Sequence, residues 1–369
     1  MGLEQIRQKI DIVDGKLKQL FLERMSYVKE VLAIKKKEGL PVRHIQREQE
    51  ILEKKLADIT EFQEETRAFL KSLIQISCHY QEKGLAVLPP QRFFSHLNRE
   101  TFIQGIQTYC YQGIPGSYSW EAGGELFPRA EGKGMKTFYD VCQSVIEGTC
   151  QVGVLPLENL AAGSVSQVYD LIEEFKLHIV DELSLPIRHC LLGTGRLEDI
   201  TQVKSHPQAL AQCSRYLQQQ GWEEESFLNT ATAAKWVAQE KNPAIGAICN
   251  KKNASLYGLQ VLAENIADLE ENQTRFVVVS KEKIIVGNPK KTSFVFTLPH
   301  HPGSLSDALM DFSAHQLNLT KIESRPLKSN EWEYLFFAEV DGSLLTDSVY
   351  TYFSQAGHLF HYFRWIGCY

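Results

Sequence analysis

Residues 3 to 34 carry two apolar rows at heptad spacing. Leu3, Ile10, Leu17 and Val31 form one and Ile6, Val13, Leu20, Tyr27 and Ile34 the other, with Arg24 standing where the first row needs a hydrophobe. The pattern demands one long helix. At ~1.5 Å per residue a helix of about 33 residues spans roughly 50 Å, more than a small helical domain can cover, so the seam is expected to pack against a second copy of the chain. Arg7 and Lys35 lie on the row beside the seam and point along the same edge. A second helix, entered through Pro41, presents Ile45, Leu52 and Leu56 inward with Glu48 on that face and Arg47 beside it. A third stacks Leu70, Leu73, Ile74, Ser77 and Gln81 at helical spacing. Taken singly, Arg24 fits a snorkelling side chain and Glu48 an ordinary pair with a lysine. Taken together, cations along an apolar seam need an anion, because burying them unpaired is costly. A small dicarboxylate held between helices by guanidinium forks meets that need.

The periodicity then changes. Gly84, Pro89 and Pro90 end the helical region, and residues 89–105 read as a linker. From Gln107 to about Lys283, short β-branched runs such as Val152 to Leu155 and Phe276 to Val279 alternate with amphipathic segments, which predicts an α/β region built on a doubly wound sheet. Beyond Gly287-Asn288-Pro289 the order is strand (Ser293 to Leu298), helix (Leu305 to Ala314), strand (Leu319 to Glu323), strand (Tyr334 to Val340), helix, strand (Phe360 to Ile366), a βαββαβ unit. Two or three domains suit a chain of 369 residues. A net charge of -6 argues against nucleic acid as a partner. The eight cysteines have no zinc or disulfide spacing and read as reduced, buried thiols; His300 and His301 read as loop residues without a metal partner. With no apolar run long enough for a bilayer and no leader-like segment, a cytoplasmic location and no membrane partner are expected.

Arg7, Arg24, Lys35, Arg47, Glu48, Ser77 and Gln81 stand in the order and spacing of the active site of the all-helical chorismate mutases, a resemblance that covers residues 3–82 and implies a dimeric domain over 1–88. The resemblance implies that Arg7 serves the partner's site. It gives Arg24 and Arg7 to the substrate carboxylates, Lys35 and Gln81 to the breaking ether oxygen and Glu48 to the substrate hydroxyl. A Claisen rearrangement of chorismate needs no cofactor, only the compact conformer and charge stabilisation. His44 stands where bacterial members often carry aspartate.

In the central region, Gln112 to Ser119, Pro156 to Asn159, Ser205 to Gln208, Asn229 to Ala231, Leu256 to Leu259 and Thr274-Arg275-Phe276 each read alone as a turn, a cap or a ligand cradle. As an ordered set over residues 107–282 they resemble prephenate dehydratases, which implies two α/β lobes over 106–284 with the site between them. The resemblance gives Thr274 to departure of the ring hydroxide and Ser117, Glu158, Asn159, Ser205, Gln212 and Thr230 to substrate binding; Arg275 fits an inter-strand ion pair as well as the site. The first motif has Gly113-Ile114 where Gly-Pro is common, as in arogenate dehydratase-like members, so arogenate stays open beside prephenate as substrate.

The βαββαβ region carries Pro302-Gly303-Ser304-Leu305 and Glu323-Ser324-Arg325-Pro326, which resemble the phenylalanine-binding motifs of ACT domains over residues 292–369, implying a regulatory domain over 290–369. Residues 303–305 and 323–326 would then bind phenylalanine as an allosteric effector, in a homodimer or homotetramer. A non-enzymatic amino-acid sensor is the rival reading; it gives no reason for Arg24 and Glu48 in a helical seam.

Overall fold

The structure, a computed structural model, describes residues 2–369 except 41–44, 86–93, 270, 301, 328–333, 347–348, 351 and 354–359, and leaves the side chains of 45–46, 48–49, 79 and 82–85 undescribed. Two compact units are present. One comprises residues 1–91, 297–319 and 345–361; the other comprises 92–296, 320–344 and 362–369. Among the described residues no helix is long and apolar enough to cross a membrane.

The first unit opens with α1 (Leu3–Glu38), α2 (Ile45–Leu56) and α3 (Gln63–Leu85). The heptad reading of the first helix holds over 36 residues, yet within one chain Val28 is its buried residue. Leu3, Ile10, Leu17 and Val31 of one row and Ile6, Val13, Leu20, Tyr27 and Ile34 of the other are all exposed. Leu52 and Leu56 of α2 are buried, as the pattern requires, beside Ser77, Cys78 and Gln81 of α3.

The second unit begins with a correction. Residues expected as linker form β1 (Ser95–Leu97) and α4 (Arg99–Gly105), and Phe102 of α4 is buried with Tyr109 and Phe127. Asn98 caps α4 by accepting from the Glu100 N–H, a local signal outweighed in the sequence by the preceding prolines. The chain continues through β2 (Thr108–Gln112), α5 (Tyr118–Leu126), β3 (Glu131–Met135), α6 (Phe138–Glu147), β4 (Val152–Asn159), β5 (Gly163–Ser164), α7 (Ser166–Glu174) and β6 (His178–Pro186). A second lobe holds β7 (Cys190–Gly193), β8 (Gln202–Ser205), α8 (Pro207–Ala211), α9 (Ser214–Gln220), β9 (Glu223–Ser226), α10 (Thr230–Glu240), β10 (Ile245–Cys249), α11 (Lys252–Tyr257) and β11 (Gln260–Ala263). Then β12 (Gln273–Ser280) returns to the first lobe, followed by β13 (Ile284–Val286). The C-terminal segment supplies β14 (Lys291–Thr297), β15 (Leu319–Pro326), β16 (Tyr334–Asp341) and β17 (Tyr362–Cys368) to this unit, whereas its α12 (Ser304–Ala314) belongs to the first.

The second lobe is a five-stranded sheet, β11-β7-β10-β8-β9. The larger sheet has ten strands, β15-β16-β14-β17-β6-β12-β4-β2-β3 with β5 on β4. Both sheets are mixed: β12 runs antiparallel to β4 and β6 in the larger one, and β7 antiparallel to β10 and β11 in the smaller. The C-terminal strands are ordered second, third, first, fourth, as in the split βαβ arrangement. They do not stand apart as a separate sheet: β17 pairs with β6 through Gly367 and Ile179. A Cβ on Gly367 would lie 2.2 Å from the Ile179 carbonyl, so the junction needs glycine. The expected helix between β16 and β17 falls largely outside the described residues.

Six charged groups lie at this join. Arg275 of β12 donates to both Glu339 carboxylate oxygens at 2.9 and 2.8 Å and approaches Glu182 at 3.3 Å and Glu158 at 3.4 Å. Lys291 pairs with Glu182 at 2.9 Å and Lys321 with Glu158 at 3.1 Å. Three cations therefore meet three carboxylates. Burial alone would raise the Glu339 carboxyl, but the Arg275 guanidinium, Lys291 and Lys321 outweigh it and hold it below the ordinary carboxylate range. Glu339→Gln is expected to cost roughly 2 kcal/mol at neutral pH, because Arg275 loses its compensating charge in a buried site. Since the folded carboxyl titrates below its unfolded counterpart, this stabilisation is present above the unfolded value and is lost as pH falls through the folded one. Denaturant melts at pH 7 and pH 3.5 should show the wild-type advantage shrinking in acid; a constant gap would refute the assignment.

Candidate active sites

In the helical unit, α1 and α3 face each other through polar groups. Arg24 Nη1 donates to the Leu73 carbonyl at 3.2 Å and to Ser77 Oγ, and Ser77 donates back to Leu73 O at 2.7 Å. One turn on, Gln81 Nε2 donates to Ser77 O at 3.2 Å, while its Oε1 is buried without a hydrogen-bond partner. Buried polar atoms normally find partners, so this orphan marks a place where a ligand group fits. Lys35 lies half-buried on α1. Arg47 on α2 is exposed, and the side chain of Glu48 and all of His44 lie outside the described residues. Arg7 is exposed and reaches Glu4 at 3.8 Å. Seventeen residues separate it from Arg24, roughly 26 Å along one helix, so a single chain cannot bring Arg7 to the Arg24, Ser77 and Gln81 cluster.

In the larger unit, β12 and β4 pair with Thr274 opposite Asn159 and Arg275 opposite Glu158. Successive residues of a strand face opposite sides. Asn159 and Thr274 share one face; both are buried, and Asn159 Nδ2 donates to Thr274 Oγ1 and to Asn272 Oδ1, each at 2.9 Å. Asn159 Oδ1 accepts from the Ala161 and Ala162 N–H groups, so the carboxamide is fixed in this orientation. Accepting from Asn159 leaves the Thr274 hydroxyl proton for another acceptor. Glu158 is a correction: expected beside Asn159, it faces the opposite side in the ion network with Arg275 and Lys321. Alternation forbids both neighbours on one face.

Some of the remaining candidates lie beside contacts that join the two lobes, whereas Ser205 lies inside the second lobe. Ser117 is buried and caps α5 by accepting from the Trp120 N–H. The loop before it is tied down by residues that sequence reading missed. Gly116, at φ 91°, has its carbonyl bonded by Asn250 at 3.3 Å and Asn253 at 3.0 Å, and a Cβ there would lie 2.0 Å from Asn253 Oδ1. Only glycine fits. Asn253 Oδ1 is itself buried and unpartnered. A Cβ on Gly113 would come within 4.0 Å of Asn229, which caps α10 immediately before Thr230. His189, also missed, links Tyr118 to Gln212 through its two ring nitrogens at 3.4 and 2.8 Å. Burial pulls its pKa down, with the Gln212 bond acting the other way, so it stays neutral near pH 7. Ser205 is fully buried and donates to Ile248 O at 2.5 Å, a bond that ties β8 to β10. The polar pair Arg188-His189 directly ahead of an apolar strand was the available signal for this region.

In the C-terminal segment, Gly303 precedes α12 at φ 88°, with Ser304 and Leu305 in its first turn. A Cβ there meets nothing within 4 Å, so backbone conformation, not crowding within this chain, demands glycine. On β15, Glu323 accepts from Ser166 at 3.3 Å and Arg325 grips Asp170 at 3.1 and 2.8 Å, both on α7, whereas Ser324 and Pro326 are exposed. All eight cysteines are buried and none is in a disulfide.

The prephenate dehydratase family matches residues 109–284, and chorismate mutase type II matches residues 6–82. The chain is 33% identical over 374 residues to the bifunctional chorismate mutase/prephenate dehydratase of Escherichia coli strain K12, covering 99% of this chain and 95% of that one. It is 39% identical over 277 residues to the chloroplastic arogenate dehydratase/prephenate dehydratase 1 of Arabidopsis thaliana, over 70% of this chain and 71% of the other. The solved prephenate dehydratase of Arthrobacter aurescens, in complex with L-Phe, superposes with a TM-score of 0.66 at 28% identity, covering 71% of this chain and 89% of that one. Because both catalytic families are matched in one chain and the likeness to the bifunctional enzyme runs almost end to end, the protein belongs to the bifunctional chorismate mutase/prephenate dehydratases of phenylalanine biosynthesis.

Proposed function

We propose that chorismate rearranges to prephenate in the α1 and α3 site, and that prephenate loses carbon dioxide and hydroxide beside Thr274 to give phenylpyruvate. Arg24 anchors a carboxylate, Lys35 and Gln81 stabilise charge on the breaking ether oxygen, and Arg7 comes from a second chain. The apolar rows of α1, exposed along the whole helix, support a dimer built on that element. For the second reaction the carrying observation is the hydrogen bond from Asn159 to Thr274, which orients the hydroxyl and frees its proton for the departing oxygen. Aromatisation drives that step, so a weak acid in the right place suffices. Ser117, Gln212 and Thr230 hold the substrate, and covalent linkage to a mutase that makes prephenate favours prephenate over arogenate. Feeding chorismate to the pure protein and identifying products tests both reactions at once; arogenate consumed faster than prephenate would reverse the preference.

Phenylalanine acts as a feedback effector through Gly303 to Leu305 and Glu323 to Pro326 of an ACT region. What supports this is the resemblance of those segments to phenylalanine-binding ACT motifs, the phenylalanine bound by the Arthrobacter relative, and the grip of Arg325 on α7, whose Leu171 and Ile172 lie in the dehydratase core. A ligand on β15 thus has a physical route to the catalytic sheet. Coupling of roughly 1–3 kcal/mol is typical of such a link. Gly303→Val, which places a β-branched residue at a left-handed φ, is expected to weaken phenylalanine binding and inhibition together, read by calorimetry and turnover. Unchanged inhibition would move the effector elsewhere.

A further inference from the structure

A cavity of about 470 Å³ lies in the larger unit, away from Thr274, where the end of β6 meets β13 and β17. Phe94, Phe363 and Trp365 give it aromatic walls, and the Phe363 and Trp365 rings stand edge to face with centroids 5.0 Å apart. Its basic lining is dense: Lys176, His178, Lys281, Lys283 and Arg364. Among the described residues no acidic side chain lines it. Glu173, behind the wall, answers Lys176 and Arg364, the latter at 2.7 Å. Lys281 and Lys283 form no ion pair among the described residues, and both are exposed residues of the lining, which leaves two uncommitted lysines at the cavity. Burial, then the Arg364 and Lys283 charges, push buried His178 down to about 4, so it stays neutral and lines the interior as a hydrogen-bonding group. Aromatic walls, a polar interior group and a cationic rim suit a flat apolar ring that carries a carboxylate.

We infer that this cavity is a second, non-catalytic binding site for a small aromatic monocarboxylate, the ring against Phe363 and Trp365 and the carboxylate between Lys281 and Lys283. The cationic rim disfavours an ammonium group, so the site selects against zwitterionic amino acids and differs from the proposed phenylalanine site. The reaction's own aryl 2-oxo acid product has the right chemistry.

The test is calorimetric titration of the full chain with 3-phenylpropionate, an unreactive aryl carboxylate, with 2-phenylethanol and phenylalanine as comparison ligands. Saturable binding is expected, at least tenfold weaker for 2-phenylethanol. In the Lys281→Gln/Lys283→Gln protein, binding of 3-phenylpropionate should also weaken at least tenfold while both turnovers stay unchanged. Exposed lysines can be replaced without unfolding the chain. Absence of saturable binding, equal affinity in the double variant, or 2-phenylethanol binding as tightly would each overturn the inference. So would loss of phenylalanine inhibition together with 3-phenylpropionate binding, which would merge the two sites into one.

Discussion

Thr274→Ala protein supplied with chorismate is expected to accumulate prephenate, with dehydratase turnover down on the order of 10²–10³ and mutase turnover unchanged. The structure separates this from mere damage. Removing the hydroxyl costs Asn159 one neutral hydrogen bond, about 1 kcal/mol, and its Nδ2 keeps Asn272 Oδ1 at 2.9 Å and Gln273 O at 3.2 Å. Thr274→Ser, which keeps a hydroxyl in place, should recover most of the rate. Phenylpyruvate formed at a near-normal rate by the alanine variant would remove Thr274 from the mechanism. Failure of serine to rescue would make the side chain's packing, not its proton, the requirement.

Arg24→Ala should lower chorismate consumption on the order of 10²–10³ while supplied prephenate is still dehydrated, because a preorganised cation is lost from the helical site alone. Ser77 keeps its bond to Leu73 O, so α3 retains its local anchor. The stronger test uses two inactive proteins. If Arg7 crosses to its partner's site, Arg7→Ala and Arg24→Ala chains mixed in equal amounts make half of the dimers hybrid, and each hybrid holds one intact site of two. Mutase activity should therefore return to about one quarter of wild type for a two-fold symmetric dimer. No recovery after demonstrated subunit exchange would rule out the shared helix.

Legibility followed the range of the interactions. The helical seam was readable because heptad spacing is local; that Arg24 meets Ser77, with Gln81 one turn on, is a contact between helices that the family resemblance, not the spacing, implied. Glu158 parts from Asn159 because strand alternation sends adjacent residues of one motif to opposite faces, which motif order in the sequence does not show. Residues 95–105 were missed because a three-residue strand and a short capped helix have little periodicity of their own; they are fixed by pairing with Ile284 to Val286 and by burial of Phe102. Asn250 and Asn253 are fixed by partners far off in sequence, Gly116 and Glu121, and the Arg188-His189 pair marks a position but not its partners, Tyr118 and Gln212.

By itself the sequence determined the order of the three regions, the long first helix and the strand succession of the C-terminal segment, because hydrophobic period and turn residues act over a few positions. Only the tertiary structure decided which of those residues share a site. Arg275 became a structural ion pair once Glu339, sixty-four positions later, folded onto it, and β17 fused the C-terminal strands to the catalytic sheet through Gly367. Such contacts depend on which strands become neighbours, a choice made by burying the whole sheet at once and written in no single segment.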